Sequence, residues 1–205
     1  MPLRLPDEPR LIASRPKLAR IRTSPDSDRQ IRDAVPDRDA AACLAIYEPY
    51  VRENAVSFED EAPGLEDFSE RMRATLATHP WLVFEADGQI VGYAYGTQHR
   101  TRSAYRWAAD VTVYVAPSHQ RAGVGRRLYE ALFDRLRRQG FHVACAGITL
   151  PNDASVGLHR ALGFEPVGVY RRIGWKLGRW HDVGWWQLEL LPADADRPPA
   201  EPLEP

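Results

Sequence analysis

The chain has 205 residues, 44% of them apolar, and its 27 Lys and Arg nearly balance 28 Asp and Glu for a formal charge of −1. That balance excludes a nucleic-acid binder that works through a clustered basic excess, and no apolar run is long enough to span a bilayer. The length suits one domain with tails. Cys43 and Cys145 are the only cysteines, and the first 20 residues mix Arg, Pro, Asp and Glu without the apolar core of a signal peptide. Reduced, buried thiols in a cytoplasmic protein are therefore expected, and Cys145, flanked by Ala and Val, reads as core packing.

Residues 1–28, rich in Pro, Arg, Ser and Asp without any period, read as a disordered tail, and residues 192–205, rich in Pro, Ala and acid, read the same way. The domain is expected over 29–191. Gln30 to Ala34 predicts a short strand, and Pro36-Asp37 opens a helix over Arg38 to Arg52. A second helix fits Leu65 to Thr78, with Leu65, Phe68, Met72 and Leu76 on one face. Trp81 to Glu85 and Gln89 to Tyr95 predict strands joined by Asp87-Gly88, a two-residue hairpin signal. The apolar run Val111 to Val115 predicts another strand. A long helix follows, with Val124, Leu128, Ala131, Leu132 and Leu136 at helical spacing and Gly140 at its end. His142 to Leu150 predicts a strand, Ala154 to Leu162 a helix ending at Gly163, and Val167 to Ile173 and Val183 to Leu190 the last strands. No repeat is evident. The pattern implies an α/β domain with a mixed sheet, antiparallel in its first half.

Gln120-Arg121-Ala122-Gly123-Val124-Gly125 stands between a strand and a helix start. Two glycines allow a tight turn that exposes successive N–H groups where the helix macrodipole is positive, a setting suited to phosphate or pyrophosphate. Arg121, Arg126 and Arg127 add charge around the turn. The absence of Gly-Lys-Ser/Thr excludes a nucleotide-triphosphate loop. Leu128 stands where a dinucleotide fingerprint needs its third glycine. A plain strand–turn–helix connection is the other reading of these residues alone.

Taken together, Gln120 to Gly125, Asn152 after a strand, and Leu162-Gly163-Phe164 at a helix end resemble the Gcn5-related N-acetyltransferase (GNAT) superfamily. Within it the chain is similar to the phosphinothricin N-acetyltransferases. The matching stretches are Asn54 to Glu59, Thr112 to Val115, His119 to Arg121, Leu150 to Asp153 and Gly178 to Gly184. The resemblance implies the GNAT fold, in which a mixed, mostly antiparallel central sheet splays at the acetyl-CoA site between flanking helices. It also implies direct attack of an amine on the thioester of acetyl-CoA, without an acetyl-enzyme.

The resemblance further implies roles for residues. Val113, Tyr114 and Val115 would lie along the pantetheine, Gln120, Arg121, Ala122, Gly123, Val124, Gly125 and Arg126 would cradle the pyrophosphate, and Asn152 would hydrogen-bond the pantetheine. Asn152 equally suits the cap of the next helix. Asp110 stands where the group has a catalytic Glu; its carboxylate is one methylene shorter, and base, substrate anchor and solvated strand start all remain open. His159 matches a position from which an imidazole can protonate the leaving thiolate or orient the thiol. Phe58, Tyr95, Arg100, Arg102 and Tyr105 match the acceptor site, Arg100 replacing Lys and an arginine fork suiting a carboxylate. Arginines in a polar loop are also ordinarily solvated. His99 and Arg106 depart from the group's Trp and Asp, which leaves the acceptor open.

His181-Asp182 are adjacent on a strand, so their side chains point to opposite faces and a dyad is not expected. The six histidines lack metal-ligand spacing, and no metal is expected. The expected activity is acetylation of a small amino-acid analogue such as phosphinothricin or methionine sulfoximine. The rivals are acetylation of another small amine or a protein N-terminus, and a non-catalytic acyl-CoA sensor. No nucleic-acid or membrane partner is expected. The resemblance implies a homodimer, with Trp175, Trp180, Trp185 and Trp186 divided between core and interface.

Overall fold

A computed structural model describes residues 29–194 and 199–205. The tail expected over 1–28 lies outside the described residues. The elements are β1 (Arg29–Asp33), α1 (Pro36–Arg52), α2 (Leu65–Leu76), β2 (Trp81–Ala86), β3 (Gln89–Gln98), β4 (Ala108–Val115), α3 (Val124–Gln139), β5 (Val143–Leu150), α4 (Asp153–Ala161), β6 (Glu165–Lys176) and β7 (Arg179–Glu189). All the expected elements are present, with ends shifted by a few residues. Among the described residues no helix is long and apolar enough to cross a membrane.

The seven strands form one sheet in the order β1-β2-β3-β4-β5-β7-β6. Every neighbouring pair is antiparallel except β4 with β5. The antiparallel character therefore extends into the second half, beyond what the sequence pattern implied. The parallel pair is short: Ala108, Ala109 and Asp110 register with Val143, Ala144 and Cys145, and the ladder stops there. Past that point β4 stays with β3 as far as Val115, while β5 stays with β7 as far as Leu150. The sheet is thus split along the line between β4 and β5.

Each face of the sheet carries its own core. Val124, Leu128, Leu132 and Leu136 of α3 pack with Ala109 and Val111 of β4 and Ala144, Ala146 and Ile148 of β5. On the opposite face α1 and α2 bury Cys43, Tyr47, Val51, Phe68 and Met72 against Trp81, Val83, Tyr93 and Tyr114. The period of two in each strand sends alternate residues into these two cores. Gly140 ends α3 at φ 92°, where its N–H reaches the carbonyls of Arg137 and Leu136. Buried Asp39 ties β1 to α1 by accepting from Arg32, Arg38 and the Val35 N–H. Burial alone would raise its pKa, but those donors hold the carboxyl well below the usual range.

The composition of the chain end predicts no structure, yet residues 200–203 lie against the domain. Trp107 Nε1 donates to the Ala200 carbonyl at 2.7 Å, and Arg106 pairs with Glu201 at 2.6 Å. Leu203 N–H donates to the Gln139 carbonyl at 2.7 Å, and Gln139 Nε2 returns a bond to the Leu203 carbonyl at 2.9 Å. These partners come from α3 and the β3–β4 connection, which local composition does not show.

His79 and His159 are both buried, and burial pushes His79 down to about 4 and His159 in the same direction. Both stay neutral in the fold, whereas the unfolded chain takes up protons below about pH 6.5. Their contribution is therefore complete above that pH and is lost as pH falls toward the folded values, up to about 3 kcal/mol for His79. The melting temperature should fall between about pH 6.5 and 4, and His79→Gln should flatten part of that slope. Identical pH profiles for the two proteins would contradict this assignment.

Candidate active site

Asp110 closes the three-residue β4–β5 ladder, so its side chain stands where the two strands part. Strand alternation turns it to the α1–α2 face, with Thr112 and, through the β3–β4 register, Tyr95. The residue is half-buried, and Oδ1 lies 2.7 Å from His99 Nδ1. Burial raises the carboxyl pKa, and His99 and Arg100 pull against it.

Around this pair the sheet supplies an aromatic floor. Tyr95 stacks on Trp81 with centroids 4.1 Å apart, and its hydroxyl is pushed up to about 12 by burial. Trp185 pairs with Gly147 on β5, and a Cβ on that glycine would meet the indole at 3.5 Å, so the small residue lets the ring lie close to the strand. The His99 ring is edge-on to both Tyr105 (5.9 Å) and Trp185 (6.1 Å). The Arg100 guanidinium lies 5.6 Å over Trp185. The structure thus brings Asp110, Tyr95, Arg100 and Tyr105 together. Arg102 stands exposed just before the short 3-10 turn Ser103–Tyr105.

Phe58 is placed by a different device. The buried Lys176 ammonium donates to the carbonyls of Val51 (2.6 Å) and Ser57 (2.7 Å), which ties the α1–α2 connection to the β6–β7 hairpin. Phe58 then lies on Gly174, where an added Cβ would come within 2.2 Å of its ring. His181 Nε2 bonds the Lys176 carbonyl at 3.0 Å, and Asp182 accepts from the Arg172 N–H at 2.7 Å. The two side chains serve the hairpin separately, as their strand alternation implied.

The expected cofactor residues flank the other side of the split. Ala116 N–H bonds the Val91 carbonyl, so alternation gives Thr112 and Tyr114 to β3 and leaves the main-chain edges of Val111, Val113 and Val115 facing the gap. Tyr50 bonds the freed Val115 carbonyl at 2.6 Å and Tyr129 the Val111 carbonyl at 3.4 Å. Val113, midway between them, keeps its N–H and C=O toward the gap. Tyr114 differs from the expectation: its ring is buried with Tyr47 and Tyr50, and its main chain is given to β3.

At the glycine turn, Arg121 and Gly123 take left-handed conformations (φ 60° and 79°), and no side chain caps α3. Two left-handed positions one residue apart, directly before an uncapped helix start, leave main-chain N–H groups at the positive end of the α3 dipole, a nest suited to an anion. A Cβ on Gly125 would meet Leu158 at 3.4 Å, Val115 at 3.7 Å and Val113 at 3.9 Å, so the glycine lets the start of α3 lie close to β4 and α4. Gln120 Nε2 is held by the Tyr50 hydroxyl at 2.9 Å. Arg126 bonds Glu130 and the Ala161 carbonyl, a helix-bracing position. Asn152 caps α4, its Oδ1 accepting from Ser155 N–H at 3.1 Å. Its amide nitrogen is the group available to a ligand.

His159 is not drawn into the Asp110 group. It is buried between α3 and α4; its Nδ1–H donates to the Ser155 carbonyl at 2.8 Å, and Nε2 faces the Tyr129 hydroxyl at 3.3 Å. Burial favours the neutral ring. Nδ1–H is committed to Ser155 and Nε2 to the Tyr129 hydroxyl, so neither ring nitrogen is turned toward the Asp110 group.

Three residues decisive for the geometry were missed by sequence reasoning: His99, Trp185 and Lys176. For His99 the signal was present, because Trp→His and Glu→Asp are departures that turn out to touch. Among the described residues, His99, Asp110 and Cys145 offer three ligand atoms within 4.8 Å of one another. A metal there would have to displace the His99–Asp110 bond and deprotonate Cys145, whose thiol burial pushes up to about 11.

Residues 33–185 match the family model for an acetyltransferase (GNAT) domain. A phosphinothricin N-acetyltransferase of Streptomyces viridochromogenes is 40% identical over 168 residues, 82% of this chain and 89% of that protein. An L-methionine sulfoximine/L-methionine sulfone acetyltransferase of Salmonella typhimurium is 37% identical over 153 residues, 74% of this chain and 90% of that protein. The structure of a GNAT superfamily phosphinothricin acetyltransferase from Sinorhizobium meliloti in complex with AcCoA matches with a TM-score of 0.80 at 30% identity. That match covers 87% of this chain and 96% of the other. By its split sheet, its glycine turn and these matches, the chain belongs to the GNAT acetyltransferase family.

Proposed function

We propose that this enzyme transfers the acetyl group of acetyl-CoA to the amine of a small, carboxylated amino-acid analogue of the phosphinothricin and methionine sulfoximine kind. The observation that carries this reading is the position of Asp110. It stands at the origin of the β4–β5 gap and faces the aromatic and arginine cluster, whereas the uncapped start of α3 belongs to the opposite face. An amine from one side and a thioester from the other would meet through the split.

In this reading the turn Gln120–Gly125 holds the pyrophosphate through main-chain donors. The pantetheine runs along the free edge of β4, where the Val113 N–H donates to the thioester oxygen as charge develops on it. Arg100 and Arg102 attract the acceptor carboxylate, and Tyr95, Tyr105, Phe58 and Trp185 shape the space around its side chain. The acceptor arrives as an ammonium and must lose a proton before its lone pair can attack, so Asp110 belongs to the proton path. A thiol-release assay over phosphinothricin, methionine sulfoximine, methionine sulfone and their decarboxylated counterparts tests the reading. Carboxylated amines should win in kcat/KM, and Arg102→Ala should cost them ~1.5–3 kcal/mol while sparing acetyl-CoA affinity. Equal losses for amines with and without a carboxylate would contradict the pocket.

We further propose a cytoplasmic homodimer built on β6. The cysteines are free thiols, as a reducing compartment maintains them. β6 is an edge strand whose Val167, Val169, Tyr170, Ile173 and Trp175 are exposed beside Leu177 and Trp180. Such a row is a pairing surface. Of the four tryptophans expected to divide, Trp186 is in the core and Trp175 and Trp180 are exposed at 58% and 56%. Sedimentation equilibrium at micromolar concentration should give twice the 23.2 kDa chain mass, and a species at that chain mass alone would rule the dimer out.

A further inference from the structure

We propose that the proton acceptor for the amine is His99, with Asp110 as its orienting partner rather than the base itself. The inference rests on the acetyltransferase reading and deepens it. Asp110 Oδ1 accepts from His99 Nδ1–H at 2.7 Å, which fixes the tautomer and leaves the lone pair on Nε2. That nitrogen makes no hydrogen bond to the described residues, and the ring is held edge-on by Tyr105 and Trp185. The imidazole lies between Asp110 and the aromatic cluster, on the acceptor face of the split.

The chemistry accounts for two departures at once. A shorter carboxylate ends farther from an amine in the gap, and an imidazole laid against it moves the basic atom outward again by the width of the ring. In the step, His99 Nε2 takes a proton from the ammonium, and Asp110 stabilises the resulting imidazolium through Nδ1–H. The amine lone pair forms the C–N bond, the C–S bond breaks, and its electron pair leaves on the thiolate. The nitrogen loses its second proton as the amide forms, one proton is taken up to give the thiol, and His99 returns its own to solvent. Net, an ammonium and a thioester become an amide, a thiol and one released proton. The groups facing the pair are Arg100 from the loop, Tyr105 from the 3-10 turn and Cys145 from β5. Arg100 favours the carboxylate, whereas the Cys145 thiol stays protonated.

The test uses the full chain with acetyl-CoA and the best amine of the panel, comparing wild type, His99→Ala and His99→Gln across pH. Turnover by wild type establishes the acetyltransferase reading first, and its absence would remove that reading whatever His99 does. The expected result is a loss of kcat/KM of about 10²-fold in both variants, with the dissociation constant for acetyl-CoA unchanged. The acidic limb of the pH profile should disappear, and added imidazole should restore rate to His99→Ala. His99→Gln keeps a hydrogen-bond partner for Asp110 without a titrating lone pair, so it stands even where the alanine variant is poorly folded. Near wild-type activity in His99→Gln would overturn the proposal. So would a loss that keeps the acidic limb.

Discussion

The three-residue parallel ladder between β4 and β5 is the constraint on which the site depends. Two eight-residue strands share a sheet only as far as Asp110 and Cys145, and each then keeps a different partner. Unpaired main-chain groups inside a protein are costly unless something satisfies them. Here Tyr129 and Tyr50 take the Val111 and Val115 carbonyls, and Val113 between them keeps its main chain toward the gap. The same split begins at Asp110, whose carboxylate stands on the α1–α2 face at its origin. The free edge of β4 and the place of Asp110 thus arise from one irregularity.

Rigid supports hold the opening in place. On one face α3 packs Leu128, Leu132 and Leu136 fully into the core, so its start, and the nest before it, is a fixed feature rather than a loop end. On the other, the Lys176 ammonium draws the α1–α2 connection onto the β6–β7 hairpin and sets Phe58 there. The β3–β4 connection is pinned through Arg106 and Trp107 to residues 200–201. His99, Arg100 and Tyr105 belong to that connection, so the chain end bears on the Asp110 side of the split.

Much of this was legible in the sequence, because the signals were local. Periodicity located α2 and α3, Pro36-Asp37 the start of α1, Asp87-Gly88 the hairpin, and the spacing of Gly123 and Gly125 the turn before α3. Asp110 was legible by resemblance. What was not legible depends on contacts between distant segments. Lys176 reaches Ser57 across 119 positions, and Trp107 meets Ala200 across 93. His159 illustrates the converse: its place in the motif was legible, but its bonds to the Ser155 carbonyl and the Tyr129 hydroxyl were not. Tyr114 pairs its main chain with β3 and packs its ring on Tyr47 and Tyr50, contacts that local sequence does not show.

The central claim is that the two substrates meet through the split, one from each face of the sheet. A crystal structure of the enzyme with coenzyme A and a non-reactive carboxylated amine tests it most directly. The expected result places the thiol sulfur between β4 and β5 beside Val113, with the pyrophosphate on the Gln120–Gly125 turn and the amine on the Asp110 and His99 side. A coenzyme whose sulfur lies away from the gap, or an amine bound on the α3 face, would contradict it.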